Sequence, residues 1–338
     1  MDPALTSPPR VSVILVTWNN AAFLDRCLEG ISAQDAGAIE LIHIDNASSD
    51  DGAARIRAAF PRCIQILNED NRGFTGAVNQ GIAAARGEFV LLCNPDAYLA
   101  AGYVEAIERA FAQAGDRFGM ATGKLLRAAG SRIEPTGEVD SKGIRMTRTG
   151  RHLDIGQGEP DRQDHRGLVP LPGLAGLCEV FGVSGAAAMY RMSFIRDVSI
   201  DGQFLDEDFF TYREDADVAW RGRVLGWRGL YVPDAVAHHV RTVTPLGRRS
   251  LSEVTNRNSF KNRFLLRLKN EGIGLALRNA PFELSRDLLA IGAVLTVERS
   301  SLPALGWLWK TRRRIMARQS EIQRRRRTPD RELARWFR

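Results

Sequence analysis

The chain has 338 residues, of which 44% are hydrophobic and 26% are charged. These proportions are ordinary for a globular protein, and they exclude a disordered chain, a collagen and a disulfide-rich scaffold. The four cysteines stand far apart with no CxxC pair, so we expect buried free thiols rather than zinc ligands or disulfides; they are Cys27, Cys63, Cys93 and Cys178.

The net charge of +7 is unevenly distributed along the chain. Residues 1–240 hold 24 basic and 32 acidic residues, a net charge of −8, whereas residues 241–338 hold 23 basic and 8 acidic residues, a net charge of +15. Such a basic region predicts either an anionic partner, such as a membrane surface, or a solvated arginine-rich helix. Because the excess of basic residues is confined to this region and matches no nucleic-acid-binding motif, we expect no nucleic-acid partner.

The N-terminus does not resemble a targeting segment, since it lacks the apolar stretch of a signal peptide. The longest apolar helical run, residues 288–297, has ten residues and is too short to cross a bilayer. We therefore expect a cytoplasmic protein, attached peripherally to the inner face of the plasma membrane through its basic C-terminal region.

Apolar, β-branched runs alternate with helical periodicity over the first third of the chain. Strands are predicted over 11–16, 40–44, 63–67 and 88–93, and helices over 21–31, 53–60, 77–86 and 103–114. Because the strands alternate with helices and the connections are short, this part predicts a parallel sheet with helices on both faces.

Polar side chains follow all four predicted strands. They are Thr17 and Asn19 after the first, Asp45 after the second, Asn71, Arg72 and Gly73 after the third, and Asn94 and Asp96 after the fourth. The carboxyl ends of parallel strands meet at one edge of a sheet, so these residues predict a pocket for a polar ligand. Neither a GxGxxG nor a GxxxxGK[ST] motif occurs, which disfavours a Rossmann dinucleotide site or a P-loop.

The second half of the domain is less regular. Residues 120–180 are glycine-rich and predict antiparallel hairpins or a mobile loop, and residues 181–190 predict a strand. A helix over 214–225 follows, with Glu214 and Asp215 in its first turn, where the helix dipole favours negative charge. A strand over 229–239 then follows the helix.

The remaining chain, from about residue 256 onward, has helical periodicity and many arginines. Its apolar faces carry Trp residues beside the arginines, a pattern typical of helices in a membrane interface. A helical cap on the core explains the same pattern, and the sequence leaves both interpretations open.

Three residues from different elements suggest a chemical site. Asp96 ends a strand in the predicted pocket, and Asp215 and His239 come from elements that could meet it. Carboxylates and an imidazole, together with water and phosphate oxygens, suit Mg²⁺ or Mn²⁺. Such an ion would neutralise a departing diphosphate, and a second carboxylate could deprotonate an attacking hydroxyl.

Six segments in chain order carry a family resemblance. They read VSVILVTWNN, IDNASSDDG, NRGFTGAVNQGI, LLCNPDAYL, VSGAAAMYR and FLDEDFFTYREDADVAWRGRVLGWRGLYVPDAVAHHV. Over about residues 11–240 the chain resembles family-2 glycosyltransferases, and most closely their rhamnosyltransferase-like branch. The resemblance implies the GT-A fold, an α/β domain with a mostly parallel central sheet, a divalent metal, and transfer of a sugar from a nucleotide-sugar donor with inversion.

The resemblance also implies a role for each matching residue. The donor-binding residues are Thr17, Asn19, Asp45, Asn71, Arg72, Gly73, Asn79, Asn94 and Asp96. The metal ligands are Asp96 and His239, with His238 left open as an alternative. Asn94 stands where the family's DxD motif has its first Asp, so a weaker hold on the metal is expected. Asp215 is expected to be the catalytic base within the Glu214–Asp215 pair. The residues expected to line the acceptor side of the site, or to support the base, are Ser184, Gly185, Asp217, Trp220 and Arg221.

Several of these residues have a purely structural interpretation as well. Asp45 could close an Asx turn, Arg72 could be a surface charge, and Trp220 could be a packing residue. The nearby Asp206 and Asp208 are expected to be capping or surface charges.

These inferences predict that the chain has three regions and that it transfers a sugar. Residues 1–10 are expected to be a disordered leader, 11–250 a GT-A catalytic domain and 251–338 a basic helical region. The preferred donor is dTDP-rhamnose, with UDP-sugars next, and the acceptor is a saccharide or a polyprenyl-diphosphate-linked glycan of cell-envelope synthesis. A hexosyl or galactofuranosyl transferase, a non-catalytic binding module and a homo-oligomer remain open. The processivity motif QxxRW has only a distant counterpart at 332–336, so we expect one or a few sugars per encounter.

Overall fold

The computed structural model describes residues 8–34, 39–162, 166–241 and 253–338. Most of the predicted leader lies outside these ranges, and so does the predicted boundary between residues 250 and 251. The strands are β1 Val11–Thr17, β2 Ile39–Asp45, β3 Ile64–Leu67, β4 Phe89–Cys93, β5 Ala97–Leu99, β6 Phe118–Ala129, β7 Glu134–Ser141, β8 Ile144–Met146, β9 His152–Asp154, β10 Val169–Pro170, β11 Cys178–Val180, β12 Ala187–Arg191 and β13 Arg228–His239. The helices are α1 Leu24–Ser32, α2 Gly52–Ala59, α3 Gly73–Ala84, α4 Tyr103–Ala114, α5 Met192–Val198, α6 Glu214–Val224, α7 Glu253–Asn270, α8 Ile273–Thr296, α9 Leu302–Arg324 and α10 Asp330–Leu333.

Most strands in the described residues form one sheet of eleven. Its main order is β10-β11-β13-β6-β12-β4-β1-β2-β3, with β5 beside β13 and β7 beside β6. The four N-terminal strands pair in parallel, as the alternating sequence pattern predicts. Beyond them β12 runs antiparallel between β4 and β6, and β13 is parallel to β6. The sheet is therefore parallel in its N-terminal half and mixed in its second half.

The irregular segment 120–190 differs in part from its prediction. It contains two hairpins, β6–β7 and β8–β9, as expected. The strand predicted over 181–190 is shorter than expected, because only Ala187–Arg191 forms β12. Residues 184–186 turn across the end of the sheet instead, where they line a cavity.

Side chains of β1 point alternately into two apolar layers. Val11, Val13 and Leu15 pack with residues of α1 and α4, whereas Ile14 packs with residues of α3 and α6 on the opposite face. Burial on both faces explains why the strand is a continuous apolar run rather than an alternating one. All four cysteines are free and buried, as predicted.

The C-terminal helices α7 and α9 complete the second of these layers. Leu265 and Leu266 of α7 and Ile315 and Ile322 of α9 belong to the same core cluster as α6. These two helices therefore act as the helical cap that the sequence allowed. In the described residues no single helix is both long and apolar enough to span a membrane, although α8 and α9 together meet that criterion across a 107° bend.

Candidate functional site

A cavity of about 310 Å³ opens at the carboxyl end of β4, between β12, β13 and the start of α6. It is lined by Phe74, Asn94, Asp96, Ser184, Gly185, Ala186, Thr211, Tyr212, Glu214, Asp215, His239, Val240 and Arg241. Seven of these residues are among those predicted from the sequence to form the site, although they come from four separate segments of the chain. The fold thus brings the proposed metal ligands and the proposed base into one cavity.

Asp96 and His239 face each other in this cavity. The Nε2 atom of His239 lies 3.4 Å from Oδ1 of Asp96, and both side chains are largely buried. Strand β13 pairs with β5 at this point and places His239 on the cavity side. The neighbouring His238 points to the other face, where its ring lies 6.0 Å from that of Tyr98. Only His239 of the two therefore lines the cavity.

A chain of charged groups holds the other ring nitrogen of His239. Oδ2 of Asp140 lies 2.9 Å from Nδ1 of His239, and Oδ1 of Asp140 accepts a hydrogen bond from Nε of Arg241 at 2.7 Å. Arg241 also donates to Asp154 at 2.7 Å. Burial opposes protonation of His239, but the hydrogen bonds that the imidazole donates to the carboxylates of Asp140 and Asp96 outweigh it and raise the pKa of His239 to about 9. The imidazole is thus held in one orientation.

Glu214 and Asp215 begin helix α6, as predicted. Burial, with the charge of Asp215, raises the pKa of Glu214 to about 8, and its Oε2 is buried without a hydrogen-bond partner in the described structure. Burial and then the charge of Asp154 raise the pKa of Asp215 to about 6. Oδ1 of Asp215 accepts from the Ala216 amide at 2.7 Å. A carboxylate with a raised pKa in a cavity suits proton transfer near neutral pH.

The loop before these acids has an unusual backbone. Phe210, Tyr212 and Arg213 all adopt positive φ angles, of 64°, 68° and 73°. Such conformations are costly for residues other than glycine and persist only where the surroundings impose them. The side chain of Asn262, on α7, donates to the carbonyls of Phe209, Thr211 and Tyr212 at 2.8–2.9 Å. The C-terminal region therefore supports one wall of the cavity.

A second group of predicted residues lies at the ends of β1 and β2. The hydroxyl of Thr17 donates to Oδ1 of Asp45 at 3.1 Å and lies 2.8 Å from Nε2 of His43. Oδ2 of Asp45 accepts from the amide of Ser48, three residues on, so Asp45 stabilises this turn through a bond one residue longer than that of an Asx turn. Asn19 has a φ of 55°, and its side chain accepts from Ser49. This group forms a polar edge beside the cavity.

The start of α3 connects the two groups. Asn46 donates to Oδ1 of Asn71 at 2.9 Å and to the carbonyl of Gly73 at 3.1 Å. Gly73 has a φ of 72°, and a Cβ atom there would lie 2.5 Å from the ring of Phe210, so no larger residue fits. The next residue, Phe74, lines the cavity. The backbone amides here are largely satisfied within the protein, since Gly73 donates to Oδ1 of Asn71 at 2.8 Å and Thr75 donates to the carbonyl of Phe210 at 3.2 Å.

Other predicted residues lie farther from the cavity. Arg72 is exposed beside Asp70, with Nε 3.6 Å from Oδ1. Both amide atoms of Asn79 bond the segment around Leu205, which ties α3 to that segment. Trp220 is fully buried, with its ring 4.8 Å from that of Phe337, so it packs in the core.

Asp217 and Arg221 are also fully buried, and neither lines the cavity. The guanidinium of Arg221 donates to Asp217 and to the carbonyls of Val198 and Phe204. Their position on α6 makes them part of the scaffold beneath the Glu214–Asp215 pair.

The sequence analysis missed Asp140, Arg241 and Asn262. Arg241 could have been predicted from the sequence, because it stands two residues after His239 and therefore lies on the same face of an extended chain as His239. Asp140 lies in the irregular segment and Asn262 in a helix, and neither belongs to a recognisable motif. Their partners lie 99 and about 50 residues away along the chain, where local patterns carry no information.

Comparison with known proteins agrees with this geometry. Residues 12–126 match the family model for glycosyl transferase family 2. A Mycobacterium tuberculosis protein named N-acetylglucosaminyl-diphospho-decaprenol L-rhamnosyltransferase is 29% identical over 249 residues, which cover 67% of this chain and 75% of that protein. The Bacillus subtilis glycosyltransferase EpsH is 28% identical over 141 residues. These cover 41% of this chain and 39% of EpsH, so the match spans well under half the length of that relative.

A solved structure shares the fold at low sequence identity. GalNAc-T7, solved with UDP, GalNAc and Mn²⁺, aligns with a TM-score of 0.59 at 14% identity, over 78% of this chain and 48% of that chain. The α/β architecture, with the cavity at the carboxyl ends of the parallel strands, is the one that the resemblance implied, but the sheet is mixed rather than mostly parallel because β11, β12, β5 and β7 pair antiparallel with their neighbours. Residues 12–126 are therefore similar to glycosyl transferase family 2, and the fold of the chain is the GT-A fold.

Proposed function

We propose that the chain is an inverting glycosyltransferase that moves a sugar from a nucleotide-diphosphate donor to a hydroxyl group of a glycan acceptor. One observation carries the proposal: a carboxylate with a raised pKa, Asp215, shares a cavity with Asp96 and His239 at the carboxyl edge of the sheet. The family match supports sugar transfer, and GalNAc-T7, which shares the fold, was solved with UDP, which fits a nucleotide-sugar donor.

The proposed reaction is a single displacement. Asp215 accepts the proton of the acceptor hydroxyl as its oxygen bonds to the anomeric carbon of the donor. The bond between that carbon and the diphosphate oxygen breaks, and the electron pair leaves with the nucleoside diphosphate. The amide of Gly185 lies 3.5 Å from Oδ2 of Asp215, and Gly185 and Ser184 both line the cavity, so they would contact the acceptor.

The residues of the cavity fit a divalent metal. Asp96 and His239 supply a carboxylate and an imidazole, which Mn²⁺ accepts, and Asp140 holds the imidazole as second-layer carboxylates do in metal sites. The described residues contain no group of three His, Cys, Asp or Glu side chains placed to hold an ion. Two protein ligands suit an ion that is otherwise bound by substrate phosphates. The metal would stabilise the charge that develops on the departing diphosphate.

The relative in M. tuberculosis suggests the identity of the donor and the class of the acceptor. Its name describes an L-rhamnosyltransferase acting on a diphospho-decaprenol-linked sugar. We propose dTDP-rhamnose as the first donor to test and a polyprenyl-diphosphate-linked glycan as the acceptor. Such an acceptor lies in a membrane, which fits a cytoplasmic enzyme held peripherally at the inner face of the plasma membrane.

Donor binding tests the proposal directly. We expect purified protein with Mn²⁺ to bind one of dTDP-rhamnose, UDP-sugars or GDP-sugars in a calorimetric titration. EDTA should weaken that binding, because Asp96 and His239 would hold an ion whose positive charge favours the diphosphate. Folded protein that binds no donor would contradict the proposed function. Equal binding with and without EDTA would contradict the metal.

An Asp140→Asn variant tests whether His239 helps to hold the metal ion. Loss of the carboxylate behind His239 should weaken Mn²⁺ binding in the presence of nucleoside diphosphate by about 10- to 100-fold. Glu138→Gln is the matched control, because this carboxylate lies two residues earlier on β7 and pairs with the partly exposed Arg127. Unchanged Mn²⁺ affinity in Asp140→Asn would remove the role assigned to His239.

The raised pKa of Asp215 sets a lower pH limit for turnover. The base acts only when ionised, so the rate should fall about tenfold per pH unit once the pH drops below the pKa of about 6. Asp154→Asn removes a negative charge that raises this pKa, so it should move the limit to lower pH. The measurement is a profile of kcat against pH for both proteins. If kcat falls below the same pH in Asp154→Asn as in the parent protein, the assignment of Asp215 as the base would be contradicted.

A further inference from the structure

Helix α8 exposes most of its large apolar residues and buries polar residues on its inner side, beside the buried Leu275 and Val294. On the inner side Asn279 and Glu283 are buried, and Glu283 and Asp287 both pair with Arg267 of α7. On the outer side the exposed fractions are 79% for Ile273, 73% for Leu277, 62% for Leu284, 71% for Leu288, 77% for Leu289 and 53% for Leu295. A surface helix of a water-soluble domain has the opposite arrangement.

The outer residues form one stripe along the helix. At about 100° per residue, Ile273, Leu277, Leu284, Leu288 and Leu295 lie within about 60° of one another around the axis. With a rise of about 1.5 Å per residue, the stripe is about 33 Å long. The single charged residue on the exposed side of α8 is Arg278. An apolar stripe of this length marks an interaction surface.

The charges around this stripe have one sign. From residue 272 to 324 every acidic residue is buried or half-buried; these are Glu283, Asp287, Glu298 and Glu321. The exposed charged residues are all basic; these are Arg278, Arg299, Lys310, Arg312, Arg313, Arg314 and Arg324. Trp309 is 69% exposed, and the guanidinium of Arg312 stacks 4.1 Å from its ring. Exposed Trp and Arg beside an apolar helix face are typical of the headgroup layer of a membrane.

We propose that the outer stripe of α8 is a lipid-binding surface that lies in the headgroup region of an anionic bilayer, with the exposed basic residues of α8 and α9 against lipid phosphates. The proposal deepens the proposed function, on which it rests for a membrane-borne acceptor, by naming the surface that meets the membrane. A second copy of the chain fits less well, because a symmetric contact would bring the arginines of both copies together.

Helix α7 connects the proposed lipid-binding helix α8 to the wall of the cavity. Helix α7 packs against α8 through the Arg267 ion pairs, and its Asn262 holds the loop that includes Tyr212 in the cavity wall. Helix α7 is therefore linked both to α8 and to the wall of the cavity. This arrangement suits an acceptor whose lipid stays in the membrane while its sugar enters the cavity.

Vesicle sedimentation tests the proposal on the full chain. The parent protein should bind vesicles of equal parts phosphatidylcholine and phosphatidylglycerol, and bind phosphatidylcholine vesicles weakly. The double variant Leu284→Glu/Leu288→Glu should bind the mixed vesicles at least about tenfold more weakly, because it puts two charges into the stripe. Val169→Glu is the matched control, an exposed apolar residue on the edge strand β10, and should bind like the parent. Arg312→Glu/Arg313→Glu should lose the preference for anionic vesicles.

Each contrary result overturns the proposal. They are a parent protein that ignores anionic vesicles, a double variant that binds like the parent, and a parent dimer that the double variant converts to a monomer without any vesicle binding. Calorimetric donor binding on the same samples separates the two proposals. Vesicle binding without donor binding would defeat the proposed function alone, and donor binding without vesicle binding would defeat the lipid surface alone.

Discussion

Replacing Asp215 by Asn should lower kcat by about 10²- to 10⁴-fold, the range expected for loss of a general base. The amide keeps the shape of the side chain but cannot accept the proton of the acceptor hydroxyl. Donor affinity should change little, because Asp215 contacts the acceptor side in the proposed reaction. The measurement is kcat from single-sugar transfer, with donor binding by calorimetry on the same protein.

Two further variants make this test specific. Asp234→Asn is the matched control, since Asp234 is an exposed carboxylate on β13 outside the cavity, and it should turn over like the parent. Glu214→Gln removes the neighbouring acid, which is expected to be protonated at pH 7 because its pKa is raised to about 8, so it should retain more activity than Asp215→Asn. The reverse order of activities would assign the base to Glu214, and near-parental turnover in Asp215→Asn would remove the proposed mechanism.

The helices and strands in the N-terminal half of the fold could be predicted from local sequence patterns. Helix α4 has the predicted bounds, Tyr103 to Ala114, and β1 and β4 end within one residue of their predicted ends. Each of these elements combines a clear apolar period with nearby turn residues, and each neighbours the next element in space. Residues at the ends of such strands meet by topology, so much of the polar edge could also be predicted.

The second half depends on contacts that no local pattern encodes. Strand β6 is buried on both faces over its first half, so it shows no alternation, and β12 is inserted between β4 and β6 from far along the chain. The pairing of Asp140 with His239 is likewise a product of the sheet order. The orientation of α8 could not be predicted either, because its apolar residues would suit a core and a membrane equally.

The acids Asp206 and Asp217 show how the C-terminal region is joined to the catalytic domain. Both were interpreted from sequence as local residues, a cap or surface charge and a support of the base. Nζ of Lys269 lies 2.7 Å from a carboxylate oxygen of each, and Lys269 is fully buried. Arg318 of α9 reaches Asp206 at 2.6 Å, and Asn270 donates to Asp217 at 2.6 Å. One buried ionic cluster thus connects α6, α7 and α9.

Replacing Lys269 by Met should lower the free energy of unfolding by about 3 kcal/mol or more, because it leaves two buried carboxylates with fewer counter-charges. Lys310→Met is the matched control, since Lys310 is exposed on α9, and its effect should stay within about 0.5 kcal/mol. The measurement is urea unfolding followed by circular dichroism. Adding Asp217→Asn to Lys269→Met should restore part of the loss, because it removes one of the uncompensated charges. A Lys269→Met protein as stable as the parent would show that the cluster contributes little to joining the helices to the domain.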